Sequence, residues 1–92
     1  MIRSFRHKGL KKLFLDDETQ GLRAEHIKRI RQILTALQSA KRVEDMALPG
    51  LRFHTLKGEY KGFHSVTVSG NYRIIFRFED EDAYDVDYLD YN

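Results

Sequence analysis

Several features that mark whole classes of protein are missing from this chain of 92 residues. It has no cysteine, which excludes disulfide bonds and thiolate metal sites. No apolar run approaches the ~20 residues that a membrane-spanning helix needs. No apolar stretch follows the first five residues either, so we expect neither a membrane segment nor a signal peptide. The lack of cysteine also fits the reducing cytoplasm, where we expect the protein to work.

Common cofactor-binding motifs are absent as well. There is no phosphate-binding glycine loop, no His-Glu-x-x-His sequence and no carboxylate cluster with the spacing of a calcium loop. The four histidines, His7, His26, His54 and His64, do not have a spacing typical of metal ligands. We therefore expect no metal ion and no other cofactor.

Charge is distributed unevenly around a net value of +2. Residues 1–50 carry eleven basic and six acidic side chains, whereas residues 51–92 carry five basic and eight acidic ones. A basic N-terminal half fits a polyanionic partner. Charge alone, however, favours the simpler interpretation of a solvated helix face.

Hydrophobic spacing predicts helices in the N-terminal half, after a short strand over residues 1–5. Leu10, Leu13 and Phe14 lie at i, i+3 and i+4, which predicts a short helix, and residues 16–21 form a loop. A stripe of isoleucine and leucine predicts a longer helix over residues 24–40. A further turn is expected over residues 43–47, before the only proline of the chain.

Alternating patterns predict strands in the C-terminal half. They cover residues 53–56, 63–68, 72–78 and 83–90, separated by short turns. Consecutive strands with short turns form an antiparallel meander. We therefore predict an α+β fold, in which an N-terminal strand and two to three helices pack on a small antiparallel sheet, as one domain over residues 1–92.

A set of polar side chains along this meander could converge on one concave face. The candidates are His54, Lys57, Arg73, Asp90, Tyr91 and Asn92. RNA is cleaved without metal when its 2′-hydroxyl loses a proton and attacks the adjacent phosphorus, and His54 or a perturbed Asp90 could take that proton. Lys57 and Arg73 have the charge to stabilise the phosphate. Tyr91 could stack on an unpaired base.

Each candidate also has an ordinary structural interpretation. His54 could be a partly buried histidine whose hydrogen bonds are satisfied, and Lys57 a solvated turn lysine. Arg73 could point to solvent by simple alternation, or pair with a carboxylate such as Asp87 or Asp90. The tyrosines near the C-terminus could be half-buried packing residues. Composition and spacing alone leave these alternatives open.

The order of several segments resembles the HigB toxins of the RelE/ParE-like toxin–antitoxin superfamily. The segments are MIRSFRHKGL at 1–10, LKG at 56–58, GFHSVTV at 62–68, NYRIIF at 71–76 and YDVDYLDY at 84–91. Each is weak alone, but their order and spacing together are specific, and the likeness covers essentially the whole chain. It implies a RelE-like fold of helices on an antiparallel sheet.

The resemblance also implies an activity, since HigB toxins enter the ribosomal A site and cut mRNA there. It implies a catalytic role for His54, phosphate binding by Lys57 and Arg73, and a C-terminal catalytic cluster containing Asp90 and Tyr91. The partners implied are a HigA-like helix-turn-helix antitoxin, the 70S ribosome with its mRNA, and operator DNA only through the antitoxin complex.

Two positions depart from the pattern of these toxins. Family members commonly end in histidine where this chain has Asn92, and asparagine cannot transfer a proton. Proton transfer must then fall to His54, Tyr91 or Asp90. Some members also carry an arginine at the position of Val68, so we expect one phosphate contact to be missing here.

The basic helix could compensate for that missing contact. Lys28, Arg29 and Arg31 could bind ribosomal RNA through its phosphates. The alternative function is a non-nuclease of the same superfamily, either a ParE-like gyrase inhibitor or a catalytically weakened binder, which Asn92 favours. A plain RNA-binding module is a third possibility, favoured only by the basic helix.

Overall fold

A computed structural model describes residues 1–91, in which two α-helices pack on a four-stranded antiparallel sheet. The α-helices are α1 (Lys8–Asp16) and α2 (Ile27–Ser39), and the strands are β1 (His54–Thr55), β2 (His64–Ser69), β3 (Tyr72–Glu79) and β4 (Asp82–Asp90). The strands are neighbours in chain order, so the predicted α+β class and the meander are confirmed. None of the helices in this part of the chain has the length and apolar character needed to cross a bilayer.

Local interactions set the ends of α1. The Nδ1 atom of His7 accepts hydrogen bonds from the amides of Gly9 and Leu10, at 3.0 and 3.3 Å, and so caps the first turn. At the other end Asp17 adopts the left-handed conformation, and its amide donates to the carbonyl of Leu13 at 3.1 Å. The helix therefore begins two residues before Leu10, where the apolar spacing begins.

Short 3₁₀ turns replace parts of the predicted elements. The start of the longer predicted helix, Ala24–His26, is a 3₁₀ helix, and α2 begins only after it. The expected turn after α2 is the 3₁₀ helix Val43–Met46, and a third one, Gly58–Tyr60, lies between β1 and β2. The element types are as predicted, and their ends differ by a few residues.

The main core lies between the helices and one face of the sheet, which we call the helical face. Its fully or nearly buried members include Leu10, Leu13, Ile30, Ile33, Leu34 and Leu37 of the helices and Val66, Ile74, Phe76 and Val86 of the sheet. Burial of each such side chain stabilises the fold by about 1.5–3 kcal/mol. The apolar stripe of α2 thus fixes which face of the sheet is covered.

The first residues of the chain cover the outer edge of β4. Ile2 forms a parallel bridge with Ala83, and Phe5 forms one with Val86. The amide of Arg3 donates to the carbonyl of Ala83 at 2.7 Å. The predicted N-terminal strand is therefore present as two isolated bridges, and they occupy backbone groups that an edge strand would otherwise expose.

The opposite side of the sheet, the open face, is defined by Arg73, Ile75 and Arg77 of β3 together with Ser65 and Thr67 of β2. Successive side chains of a strand alternate between faces, so these residues point away from the helices. A small apolar cluster covers the middle of the open face. It consists of Leu56, Phe63 and Ile75, with Tyr60, Leu89 and Tyr91 packed against them. Polar groups are left at both ends of the face.

Candidate active site

A pocket of about 280 Å³ lies at one end of the open face, and we call it the His54 pocket. It is lined by Arg52, His54, Leu56, Ser65, Thr67, Arg73 and Tyr91. Three of the five predicted catalytic residues therefore meet in one concavity, although they come from β1, from β3 and from the segment after β4.

Strand register explains this convergence. His54 lies opposite Ser65, and Thr67 lies opposite Arg73. Residues that are directly opposite in an antiparallel pair place their side chains on the same face. Tyr91 follows β4 and is fixed by its amide, which donates to the carbonyl of Asn71 at 2.8 Å.

His54 is exposed, on a strand of only two residues at the edge of the sheet. The interpretation of His54 as a partly buried, satisfied histidine is therefore wrong. Within residues 1–91 no hydrogen bond to its ring is present. The imidazole is accessible to a ligand in the pocket, as a general base must be.

Arg73 is held by backbone oxygens instead of carboxylates. Its Nη1 atom donates to the carbonyl of Gly70 at 2.7 Å and to that of Tyr72 at 3.3 Å. Among the described residues it forms no ion pair, so the pairing with Asp87 or Asp90 considered above is not found there. The remaining N–H groups of a half-buried guanidinium are thus available to an anion.

Four residues of the pocket were not predicted from the sequence, namely Arg52, Leu56, Ser65 and Thr67, and two of them have unusual features. The Oγ1 atom of Thr67 is buried and has no hydrogen-bond partner within residues 1–91. Arg52 has a φ of 50°, a conformation uncommon for a residue with a side chain. Unpaired buried groups and strained backbone both concentrate at functional sites. Alternation along β2 could have identified Thr67, but no sequence signal marks Arg52.

The pocket is electropositive, although the C-terminal half of the chain is acidic overall. Arg52 and Arg73 line it with His54, and no carboxylate is among its lining residues in the described part of the chain. Two guanidinium groups on a concave surface favour a phosphate, which each can bind with two parallel hydrogen bonds.

Lys57 and Asp90 are not among the residues that line the pocket. Lys57 is exposed and immediately precedes the 3₁₀ helix Gly58–Tyr60. Asp90 lies opposite Tyr72, whose ring packs on the helical face, so Asp90 projects toward the side away from Arg73. Asn92 lies outside the described residues. The predicted catalytic roles of Lys57 and Asp90 stay predictions.

Val68 does not mark a missing contact on the open face. Its side chain is only 3% exposed and belongs to the main core, on the helical face. An arginine here would have to bury its charge among apolar side chains. The β2 residues that reach the pocket are Ser65 and the neighbouring Thr67.

The predicted RNA-binding residues of α2 lie on the other side of the sheet. Lys28 is exposed and Arg29 is partly so, while Arg31 forms an ion pair with Asp17. A strand of RNA in the His54 pocket would be separated from them by the sheet and its helical layer. Any RNA that they bind must be a different segment.

A larger cavity, of about 330 Å³, lies between α1 and α2. Apolar side chains such as Leu13 and Leu34 form much of its wall, and its charged residues, Asp17 and Arg31, pair with each other. It therefore lacks free groups for acid–base chemistry. No group of three or more histidine, aspartate or glutamate side chains within residues 1–91 could hold a metal ion.

Comparison with known proteins gives consistent matches over nearly the full chain. A model of the family described as "RelE-like toxin of type II toxin-antitoxin system HigB" matches residues 3–92. The chain is 41% identical to Endoribonuclease HigB of Proteus vulgaris over 92 residues, covering 100% of both chains. It is 34% identical to Toxin HigB-1 of Vibrio cholerae serotype O1 over 92 residues, covering 98% of this chain and 96% of that one.

Proposed function

Because the chain belongs to the HigB-like family, the RelE-like toxins of type II toxin–antitoxin systems, we propose that it is an endoribonuclease that cuts mRNA in the ribosomal A site and thereby inhibits translation. A toxin of such a system has an antitoxin as its partner. We propose a HigA-like helix-turn-helix protein in that role, with operator DNA bound only through the complex. We also propose that the toxin acts on the 70S ribosome with its mRNA, which implies a cytoplasmic location.

One observation carries this proposal: His54, Arg73 and Tyr91 line a single electropositive pocket that has no carboxylate among its lining residues within 1–91. A binder of another protein has no need for an accessible imidazole beside two guanidinium groups. A nuclease that works without metal needs a general base to take the 2′-hydroxyl proton and cations to stabilise the phosphate. It also needs an aromatic ring on which the nucleobase can stack.

The proposed reaction is an attack within the RNA strand. His54 removes the proton from a 2′-hydroxyl, whose oxygen then forms a bond to the adjacent phosphorus. Arg73 and Arg52 stabilise the added negative charge of the five-coordinate phosphate. The bond from phosphorus to the 5′-oxygen breaks, and that oxygen takes a proton from the Tyr91 hydroxyl. The products are a 2′,3′-cyclic phosphate and a 5′-hydroxyl end.

Lys57 and Asp90 do not line this pocket, and we propose that they act at its edge. Lys57 is next in sequence to Leu56, a lining residue, and would meet the RNA backbone where it leaves the pocket. Asp90 would act by holding Tyr91 in position.

The pocket is open and small, so it holds little of the substrate. We propose that the ribosome supplies the remaining alignment of the mRNA.

The test is induction of the protein in growing cells, followed by primer extension on a translated reporter mRNA. Cuts are expected with the wild-type chain, and Arg73→Ala should lower the rate of cutting by about 10²–10³-fold. Tyr91→Phe and Tyr91→Ala separate loss of the hydroxyl from loss of the ring. Arg42→Ala, an exposed arginine outside the pocket, is the control and should cut normally.

Two outcomes would contradict the proposal. If growth stops and the message stays uncut, the protein is not a nuclease, and DNA damage in the same cells would favour the gyrase-inhibitor alternative. If Arg73→Ala and Tyr91→Ala are both soluble, folded and fully active, the His54 pocket is not the catalytic site.

A further inference from the structure

We propose that a second pocket on the open face, centred on Arg77, binds a backbone phosphate of the same RNA strand whose scissile phosphate occupies the His54 pocket. This inference rests on the proposed nuclease function and extends it with a substrate subsite. The Arg77 pocket has a volume of about 310 Å³, and its polar lining residues include Arg6, Lys61, Arg77 and Glu79.

The charges of this pocket favour an anion. Three cationic side chains and one carboxylate line it, and the ammonium of Lys61 forms no ion pair within residues 1–91. The guanidinium of Arg6 lies 5.1 Å from the centroid of the Phe63 ring, which holds it at the pocket wall. A phosphate would therefore meet at least two cations that no carboxylate of the described chain neutralises.

Arg77 itself is paired, but weakly. Its Nη2 atom lies 3.4 Å from Glu79 and its Nη1 atom 3.6 Å from Asp85, and its side chain is 47% exposed. Exposed ion pairs of this kind contribute little because water screens them. A phosphate, which can accept two parallel hydrogen bonds from the guanidinium, can replace them.

Position links the two pockets. Arg73 and Arg77 are four residues apart on β3 and point to the same face, so their Cα atoms are roughly 14 Å apart at about 3.4 Å per residue. An extended RNA strand covers such a span with a few nucleotides. The Arg77 pocket is thus within reach of a strand held at the His54 pocket.

Aromatic rings occupy the space between the pockets. The ring of Tyr60 packs edge-on against Tyr91 at 5.7 Å and against Phe63 at 6.1 Å between centroids. Tyr91 lines the His54 pocket and Phe63 lines the Arg77 pocket, so the row runs from one to the other. Phe63 is only 7% exposed, so the partly exposed rings of Tyr60 and Tyr91 are the surfaces on which bases can stack. Cations along a groove with such rings between them are the usual means of binding single-stranded RNA. An acidic protein segment would use the cations but has no need of the rings.

Binding of RNA oligonucleotides of increasing length tests the subsite. The oligonucleotides carry a 2′-O-methyl group at the scissile position, which prevents cutting, and grow by one nucleotide on the 5′ or the 3′ side. Affinity is measured by NMR titration at low salt, where weak binding is visible. We expect the affinity to rise about tenfold in a single step at the length at which the strand reaches the Arg77 pocket. The amide signals near Arg77 should shift only from that length onward.

Variants assign the step to this pocket. Lys61→Ala and Arg77→Ala should each remove most of the step and leave the affinity for shorter oligonucleotides unchanged. Each should also reduce the slope of log affinity against log salt by about 0.7, the value for one phosphate contact with a single strand. Lys12→Ala, an exposed lysine of α1 with no ion pair in the described chain, is the matched control and should keep the step.

The proposal is overturned if the wild-type affinity shows no step, if the variants weaken binding equally at all lengths, or if they impair only the binding of an acidic protein partner. These results are distinct from failure of the nuclease function, because the RNA in this assay is never cut. If affinity still rises at the expected length but message in cells stays uncut, the proposed nuclease function is refuted and the proposed phosphate subsite is supported.

Discussion

Replacement of Thr67 by valine should stabilise the protein and impair its activity at the same time. The Oγ1 atom of Thr67 is buried without a partner within residues 1–91, on the wall of the His54 pocket. Burial of an unpaired hydroxyl costs about 1–3 kcal/mol. Valine has nearly the same shape and no group to desolvate, so we expect Thr67→Val to raise the free energy of unfolding by about 1 kcal/mol.

The same substitution at Thr55 is a matched control with the opposite expected sign. The hydroxyl of Thr55 lies 2.9 Å from Nδ1 of His64 and forms a hydrogen bond with it. Thr55→Val loses that bond, which is worth about 0.5–1.5 kcal/mol for an average pair and less at an exposed site. Urea unfolding followed by circular dichroism measures both changes. In a domain of this size 1 kcal/mol shifts the melting temperature by about 4–8 °C.

The rate at which Thr67→Val cuts message is the second measurement. The hydroxyl is buried, so it contacts RNA only when a bound strand rearranges the pocket wall. Thr67→Val should then cut message more slowly despite its greater stability, a trade-off often found at functional sites. A melting temperature that falls in Thr67→Val would refute the reasoning, since the hydroxyl would then have a partner. A rise in stability with full activity would show that the hydroxyl has no contact with the substrate.

Three further predictions concern His64, Tyr60 and the basic residues of α2. Burial lowers the pKa of His64, so below its ordinary value of 6.5 the unfolded chain binds more protons than the folded one. Stability should therefore fall as the pH is lowered from about 7 to 5, and urea midpoints for His64→Gln should show a weaker dependence. Tyr60→Ala removes the ring that packs on Tyr91, and since such pairs are worth about 0.5–1.5 kcal/mol it should slow cutting roughly two- to tenfold, whereas Tyr60→Phe should not. Combined Lys28→Ala and Arg29→Ala should weaken co-sedimentation with ribosomes and reduce its salt slope by about one per side chain, and an unchanged slope would exclude phosphate contacts by α2.

Much of the fold could be predicted because it depends on periodicity. The stripe of Ile30, Ile33 and Leu37 identifies α2, and alternation identifies the strands, since each pattern reflects burial of one face. Element ends were predicted less well. The start of α1 depends on the ring of His7 as a cap, and the start of α2 on the change from 3₁₀ to α geometry. Such choices depend on single hydrogen bonds, which periodicity does not report.

The site was predicted only in part, because it depends on tertiary structure, namely on strand register and on which face of the sheet the helices cover. Alternation places Tyr88 and Asp90 on one face of β4, but the sequence does not say which face the helices cover. The register, which is interrupted by an irregularity between Ile75 and Arg77, settles that Asp90 lies opposite Tyr72. Arg52 enters the pocket through a left-handed backbone in a loop, which its residue type does not indicate.

The pairing of the first residues with β4 has a consequence for how the protein is made. In a growing chain residues 1–6 are synthesised long before their backbone partners, Ala83 and Val86. The outer edge of the sheet therefore cannot close until nearly all of the described chain has been synthesised, and contacts so distant in sequence form late.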